Sequence, residues 1–442
     1  MACTLYDAAA SYKSLYSAWQ HVRHSGLVSL SELTKQSIKA FDTDVQSRIE
    51  RIASLLHDGS FHFGPARGVL IRREGKEPRP LVVSEIPDRI VQRSLLDILQ
   101  GQPAVKAYVE RPHSFGGVSG GKVEAAVRRA CELTHSGAAY YVSSDIRGFF
   151  TKIPRKEALA ALLELLPDDS FAGLLDAATS MELANMAEMG DYAHLFPGEF
   201  EGVAQGCCLS ALLGNVLLHP FDEAMNEDPI ATLRYIDDFL ILGPDRKTVS
   251  AAFGKARGFL RKHGLDVYLP AAGSGKAAEG HVRRGFDFLG CRITPKSVEP
   301  SGKAREAFIG RVEEKLDEAS KSLKRAKHLD QRSYDTSLVE TLSRISHMIQ
   351  AWTQQYQFCN PTEAFRVVDT RVDRLIERYL GTFFKWYQRE RNTPETRRRI
   401  LGVWLVVDGT RAPILPLTRE PGDGRAPEPG ALAPARAVPR RL

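Results

Sequence analysis

Several things are scarce in this chain. Six cysteines (Cys3, Cys131, Cys207, Cys208, Cys291 and Cys359) are spread over 442 residues, and no two stand at zinc-ligand spacing. Cys207 and Cys208 are neighbours that bridge each other poorly, so all six read as free thiols of a reducing compartment. No apolar run approaches the roughly 20 residues of a membrane helix. The start of the chain has no basic segment followed by an apolar run and a cleavage site, so it does not read as a signal peptide. Together these absences make the cytoplasm the expected location, with no membrane partner. Excess charge is also modest: 60 basic against 54 acidic residues leave a formal +6, which permits a polyanionic partner without requiring one. No internal repeat is visible.

What is present is a balance typical of globular proteins, 43% hydrophobic and 26% charged. A chain of 442 residues exceeds one ordinary core, so two or three subdomains are expected. Up to about Gly59 the pattern is helical, with Ile49, Ile52, Leu55 and Leu56 at helical spacing. Phe61 to Arg73 reads as extended, broken by Gly64-Pro65, and Pro80 to Ile86 as a second extended piece. Pro87-Asp88 can open a helix carrying Ile90, Val91, Leu95, Leu96, Ile98 and Leu99. A glycine-rich turn, Val118 to Gly121, leads into another. After Lys303 helices return, with Val312, Leu316, Ala319 and Leu323 forming one apolar stripe. A further helical block runs from about Leu338 to Tyr387, and from Arg411 onward Pro, Ala, Gly and Arg suggest a mobile tail.

Two short apolar runs are tied to acids. Ala138 to Ser144 is a strand that delivers Asp145. Leu233 and Arg234 lead into Tyr235-Ile236-Asp237-Asp238, and Phe239 to Leu242 follows, which reads as a hairpin with two carboxylates at its turn. Acids at strand ends are commonly just turn formers. Two consecutive acids between apolar strands are harder to dismiss, because close like charges repel unless a cation joins them. Nucleotidyl transfer uses such sets: two magnesium ions about 3.5–4 Å apart clamp the attacking and leaving oxygens. Magnesium takes hard oxygen ligands from a few carboxylates and from substrate phosphates.

The order of these motifs resembles the reverse transcriptase family, especially bacterial group II intron-like enzymes, from about Arg79 to Gly290 and more loosely to Tyr387. Asp145-Ile146-Arg147-Gly148-Phe149-Phe150 is similar to its first catalytic motif. Gln205 to Ser210 resembles the next, continued by Asn215 and Phe221-Asp222. Tyr235 to Asp238 matches the signature hairpin, and Phe288-Leu289-Gly290 resembles the primer-grip turn. Upstream, Arg79-Pro80-Leu81, Ile86-Pro87, Asp88-Arg89 and Val91-Gln92 resemble the fingers motifs. Ala211 and Ile236 depart from the usual residues and suggest a specialised branch.

The resemblance implies an α+β right-hand polymerase, with fingers, a palm built on an antiparallel sheet, and a helical thumb. Its implied bounds are 1–60 for an N-terminal extension, 61–135 fingers, 136–300 palm, 301–390 thumb and 391–442 a C-terminal segment. It implies that Asp145 and Asp237 ligate two Mg²⁺ ions, with Asp238 and the Ile146 carbonyl completing the set. Lys76 and Arg79 would reach the triphosphate, although a solvated basic loop is the plain alternative. Phe150 would exclude a 2′-hydroxyl or simply pack in the core. Gln205, Gly206 and Tyr235 would line the nucleotide pocket, and Lys276 could give a proton to the pyrophosphate. Arg305, Arg311, Lys315, Lys321, Lys324, Arg325 and Lys327 suit phosphate contacts or a solvated face equally, and Arg397-Arg398-Arg399 is as ambiguous.

Expected partners are an RNA template, a primer, the cDNA product and deoxynucleotides; a homo-oligomer is compatible with the sequence. Cysteine pairs of the kind found in intron-type nuclease domains do not occur. By analogy, the template is expected to be a companion noncoding RNA in antiphage defence. An intron maturase-type or CRISPR-associated enzyme, or an RNA-binding factor with a vestigial site, are the alternatives.

Overall fold

Hydroxyl-bearing residues set off the opening helices. Thr4 and Asp7 form a reciprocal capping box at the start of α1 (Leu5–Ala10), and Ser11 caps α2 (Tyr12–Leu27). Ser31 caps α3 (Glu32–Asp42), and α4 (Val45–His57) completes this group. Trp19 meets Phe41 at 4.5 Å between α2 and α3, where both rings are buried. The computed structural model describes residues 4–29, 31–73, 76–118, 121–180, 182–198, 201–271, 275–325, 337–360, 363–388 and 393–403. The expected tail from Arg411, Cys3 and Lys327 lie outside the described residues, as do the side chains of Lys76, Lys324, Arg325 and Arg399.

An antiparallel hairpin follows, β1 (Arg67–Arg73) with β2 (Lys76–Val83). The second strand begins earlier and ends sooner than the proline pattern suggests. Then comes α5 (Ile86–Gly101), opened by Pro87, whose missing N–H costs nothing in a first turn. This helix is buried on most of its faces, so its polar residues need partners. Ser94 donates to the Ala9 carbonyl at 2.7 Å and Gln92 to the Ala178 carbonyl at 3.0 Å. Asp88 accepts from the Gly64 N–H at 3.2 Å. Next in order are α6 (Pro103–Val109), α7 (Val123–His135), β3 (Tyr140–Asp145), α8 (Phe149–Lys152), α9 (Arg155–Leu163), α10 (Ala172–Thr179) and α11 (Ser210–Ala224). The chain continues with β4 (Ala231–Tyr235), β5 (Asp238–Gly243), α12 (Arg246–Lys262) and β6 (Ala278–His281).

Strands β4, β5, β3 and β6 form, in that order, an antiparallel sheet. Phe239 to Leu242 of β5 are all buried, which explains why this strand reads as unbroken apolar sequence instead of alternating. A second antiparallel sheet holds β7 (Phe286–Phe288), β8 (Cys291–Ile293) and β9 (Val298–Pro300). Helices α13 (Gly302–Arg325), α14 (Leu338–Gln355), α15 (Glu363–Tyr387) and α16 (Pro394–Leu401) follow. The expected helical block from about Leu338 to Tyr387 is made of α14 and α15.

Two compact units emerge: Met1–Arg311 with Gln350–Asp373, and Val312–Ile349 with Arg374–Leu442. In the first, Phe308 stacks on Trp352 at 4.7 Å, and the Asn360 amide donates to the Val298 carbonyl at 2.8 Å. There, too, the Cys291 and Cys359 thiols hydrogen-bond each other, although both remain free. In the second, Val312, Leu316, Ala319 and Leu323 are buried as the stripe predicts. Arg378 bridges Glu313 at 2.9 Å and Asp317 at 3.4 Å, and Lys315 pairs with Glu318 at 2.7 Å. Among the described residues no helix is long and apolar enough to cross a membrane.

Candidate active site

The pairing register brings the acids together. Asp145 ends β3 directly opposite Asp238, the first residue of β5. On the other side of β5, Tyr235 pairs with Asp238, leaving Ile236 and Asp237 as a two-residue hairpin loop. Only the first of these has positive φ, 61° at Ile236, which is the pattern of a type II′ turn. A β-branched residue strains there, where glycine would sit easily. The turn is tied down beyond its own hairpin: the Ile146 amide donates to the Asp237 carbonyl at 3.1 Å. Behind Asp145, its carbonyl accepts from the Tyr268 amide at 3.1 Å, and Ser144 donates to the Tyr268 carbonyl at 2.7 Å.

A cavity of about 460 Å³ opens onto Asp145 and Asp238. Its far wall is the turn Phe288-Leu289-Gly290, with Lys276 and Lys303 beside it. Leu289 and Gly290 have φ of 49° and 79°, the two-residue turn with both loop positions left-handed that suits twisted strands. Gly290 is needed for a second reason, because a Cβ would lie 2.9 Å from the Tyr356 hydroxyl.

Gln205 and Gly206 are fastened to β2, the strand that bears Arg79. The Val82 amide donates to the Gln205 carbonyl at 2.7 Å. Gly206 has φ of 120°, and a Cβ there would approach the Val82 carbonyl oxygen to 2.3 Å. Glycine is therefore needed here for a close approach to the protein's own backbone. Phe150 is half-buried, 5.4 Å from Phe149, and its carbonyl accepts from the Val203 amide at 2.7 Å.

This constellation has relatives. The family model described as "Reverse transcriptase (RNA-dependent DNA polymerase)" matches residues 71–293, half of the chain. The chain belongs to the reverse transcriptase family.

It is an RNA-directed DNA polymerase with an α+β reverse transcriptase fold. Among curated relatives, "Protein YkfC" of Escherichia coli (strain K12) is 26% identical over 300 residues, 58% of this chain and 74% of that protein. An "Uncharacterized 91 kDa protein in cob intron" of Schizosaccharomyces pombe is 27% identical over 175 residues, 40% of this chain. The aligned region spans only 20% of that longer protein. Among solved structures, a "Partial Cas6-RT-Cas1--Cas2 complex" matches with TM-score 0.35 and 18% identity, over 58% of this chain and 42% of that one. A Candida albicans telomerase bound to a fragment of telomeric RNA matches with TM-score 0.41 and 12% identity, over 76% of this chain and 60% of that one.

The electrostatics of this reverse transcriptase suit a cation. Burial, then the Asp145 charge, pushes Asp237 up to about 6, with Lys276 and Arg79 pulling the other way. Burial, then Asp237 and Asp145, pushes Asp238 up to about 7, opposed by Lys276 and Lys303. Crowded carboxylates that resist ionising are relieved by a metal, and their hard oxygens are the donors divalent ions of the Mg²⁺ type prefer. Among the described residues no three His, Cys, Asp or Glu side chains close into a metal cage. The family uses divalent ions, and a site completed by substrate phosphates needs no closed cage.

Lys276 supplies a cation of its own. Its ammonium bonds the Asp145 carboxylate and lies 5.5 Å from the Tyr268 ring centre. Burial alone would depress this lysine, but Asp145 and the neighbouring acids hold it above its ordinary value. Sequence reasoning reached Lys276 through the resemblance, yet missed Lys303 and Tyr268. Each comes from a segment without a motif, and only the fold carries it to the site.

Proposed function

We propose that the chain makes cDNA at the Asp145, Asp237 and Asp238 cluster with two Mg²⁺ ions. The observation that supports this most is the β3–β5 register, which sets Asp145 opposite Asp238 and lets the turn present Asp237. Asp145, Asp237 and the Ile146 carbonyl would hold the ions, with Asp238 completing the carboxylate set. When bound, such ions activate a 3′-hydroxyl and stabilise the charge on the departing pyrophosphate. Lys76 and Arg79 bind the triphosphate in this reading, and the electrostatic reach of Arg79 to Asp237 supports its share. Phe150 lies under the sugar and excludes a 2′-hydroxyl, while Gln205, Gly206 and Tyr235 line the nucleotide pocket. Lys276 gives its proton to the leaving pyrophosphate. The cavity between the carboxylates and the 288–290 turn receives the primer end.

In the same reading residues 61–135 are fingers, 136–300 palm and 301–390 thumb, preceded by the extension 1–60 and followed by 391–442. The protein is cytoplasmic. Its template is a companion noncoding RNA and its product serves antiphage defence, a reading that rests on resemblance to the retron-like and defence-associated branches. The similarity to a protein in the cob intron favours a second reading, a maturase-type enzyme whose template is an intron.

The test is to purify the protein with its bound RNA, add Mg²⁺ and labelled deoxynucleotides, and sequence RNA and product beside Asp237→Asn. A discrete cDNA complementary to one bound RNA, absent in the variant, is the expected result. A template that maps to an intron would favour the second reading. Bound RNA with no synthesis from any primer would leave an RNA-binding factor with a vestigial site.

A further inference from the structure

Asn215, Asp222 and Arg234 belong to motif segments, yet none touches the cavity and the chemistry above gives them no task. Arg234 is 1% exposed and Asp222 4%, an ion pair deep inside the protein. Such a pair is costly to bury, and weak as a source of stability compared with apolar side chains of similar volume. Its partners suggest what it is for.

All five N–H groups of the Arg234 guanidinium are used. Nε donates to Asp222 Oδ1 at 2.7 Å, and Nη2 to Asp222 Oδ2 at 2.5 Å. The second Nη2 proton reaches the Ser114 hydroxyl at 2.8 Å. Nη1 donates to Asn215 Oδ1 at 2.8 Å and to the Ile236 carbonyl at 3.0 Å. That last acceptor is the informative one. The Ile236 carbonyl belongs to the peptide whose nitrogen is Asp237's, and Ile236 is the strained residue of the turn. Asp237 is thus held from both sides: the peptide before it by Arg234, its own carbonyl by the Ile146 amide.

The remaining bonds brace this grip against the loop that precedes α7. The Arg234 amide donates to the His113 carbonyl at 2.8 Å, and the Phe115 amide to the Arg234 carbonyl at 2.9 Å. Asn215 Nδ2 donates to the Gly116 carbonyl at 2.8 Å. Gly116 lies so close that a Cβ would stand 2.7 Å from Ile236 Cγ1 and 2.8 Å from its amide nitrogen. A planar fork fixed by groups on α11 and this loop gives the turn one orientation, which a flexible point charge cannot do.

We propose that Arg234 is a positioning residue: anchored by Asp222, Asn215 and Ser114, it holds the Ile236–Asp237 peptide so that Asp237 meets its metal. The inference rests on the reading of Asp237 as a metal ligand. Groups that orient a ligand from behind typically change metal affinity or activity by about 10–100-fold when lost.

The decisive variant is Arg234→Met with Asp222→Leu in the full chain, which removes both buried charges and leaves apolar volume. It is compared with wild type, Arg234→Met alone and Asp237→Asn on poly(rA) primed with oligo(dT). The expected double variant melts above the single one and binds template–primer as wild type does. Its kcat is about 10–100-fold lower, and it needs several-fold more Mg²⁺ for half-maximal rate. Without any metal, deuterium exchange at residues 235–238 is faster while β3 is unchanged.

Recovered melting together with wild-type kcat, Mg²⁺ response and exchange would overturn the proposal and leave Arg234 a structural residue. If the double variant does not fold, Asn215→Ser decides. Removing one anchor should raise the Mg²⁺ requirement and speed exchange at the turn, and no change in either refutes the positioning role. An active Asp237→Asn would instead sink the metal-ligand reading, whatever the Arg234 variants do.

Discussion

Replacing Gly206 with alanine asks how the strand bearing Arg79 is fastened to the site. The new Cβ would sit 2.3 Å from the Val82 carbonyl oxygen and 3.3 Å from the Leu81 side chain, at a φ of 120°. The nearer obstacle is backbone, which cannot swing aside as a side chain would. The conformation costs about 1–3 kcal/mol, and forcing a carbon into filled space about 1–3 kcal/mol more. A sum of roughly 2–6 kcal/mol is below or near the lower end of ordinary domain stability, so a weakened but folded protein is expected. At roughly 2 °C per kcal/mol for a large domain, the melting temperature falls by about 4–12 °C.

The contact most easily released is the bond from the Val82 amide to the Gln205 carbonyl. Its loss loosens β2, so KM for the deoxynucleotide should rise more than kcat falls. Gly254→Ala is the control: it lies inside α12 with no atom within 4 Å of the added methyl, and should stabilise by about 0.5–1 kcal/mol. Thermal melting and steady-state incorporation on a primed homopolymer measure both effects. If Gly206→Ala melts with wild type and keeps its KM, the close approach to Val82 does not constrain this position.

Two further outcomes concern charged side chains. Lys276→Met removes the ammonium bonded to Asp145; as a lost general acid it should lower kcat by about 100-fold or more with little change in melting. A kcat near wild type across pH 7–9 would end its role as proton donor. Asp88 is 5% exposed, and burial raises it to about 6 from an unfolded value near 3.8. Folded protein therefore keeps a proton that unfolded chain releases, so stability falls as pH rises between about 4 and 6 and the loss is complete above it. Asp88→Asn should gain about 2 kcal/mol at pH 8, after allowance for screening, and little at pH 4. Urea melts giving the same difference at both pH values would contradict this.

The reverse transcriptase fold was legible because its motifs are local. Tyr235 to Asp238 and Asp145 to Phe150 each carry their signal within a few residues, and strand alternation or its absence marks the sheet. The opening helices were legible from apolar spacing such as Ile49, Ile52, Leu55 and Leu56, whereas their caps at Thr4, Ser11 and Ser31 emerge from the structure. What the sequence could not show is pairing at a distance. Lys276 meets Asp145 across 131 positions, and Ser114 meets Arg234 across 120. The neighbour that keeps position 206 free of a side chain, Val82, likewise depends on the path of β2.

The register that sets Asp145 against Asp238 also shapes how this enzyme can evolve. Strand side chains alternate with a period of two, so a one-residue insertion in β3 would turn its acid to the opposite face. A two-residue shift restores the face but moves the carboxylate by about 7 Å along the strand, beyond the reach of a shared ion. Neither error can be repaired by a nearby substitution. Length variation in descendants of this chain should therefore collect in loops and termini, while β3 and β5 change letter by letter and never in length.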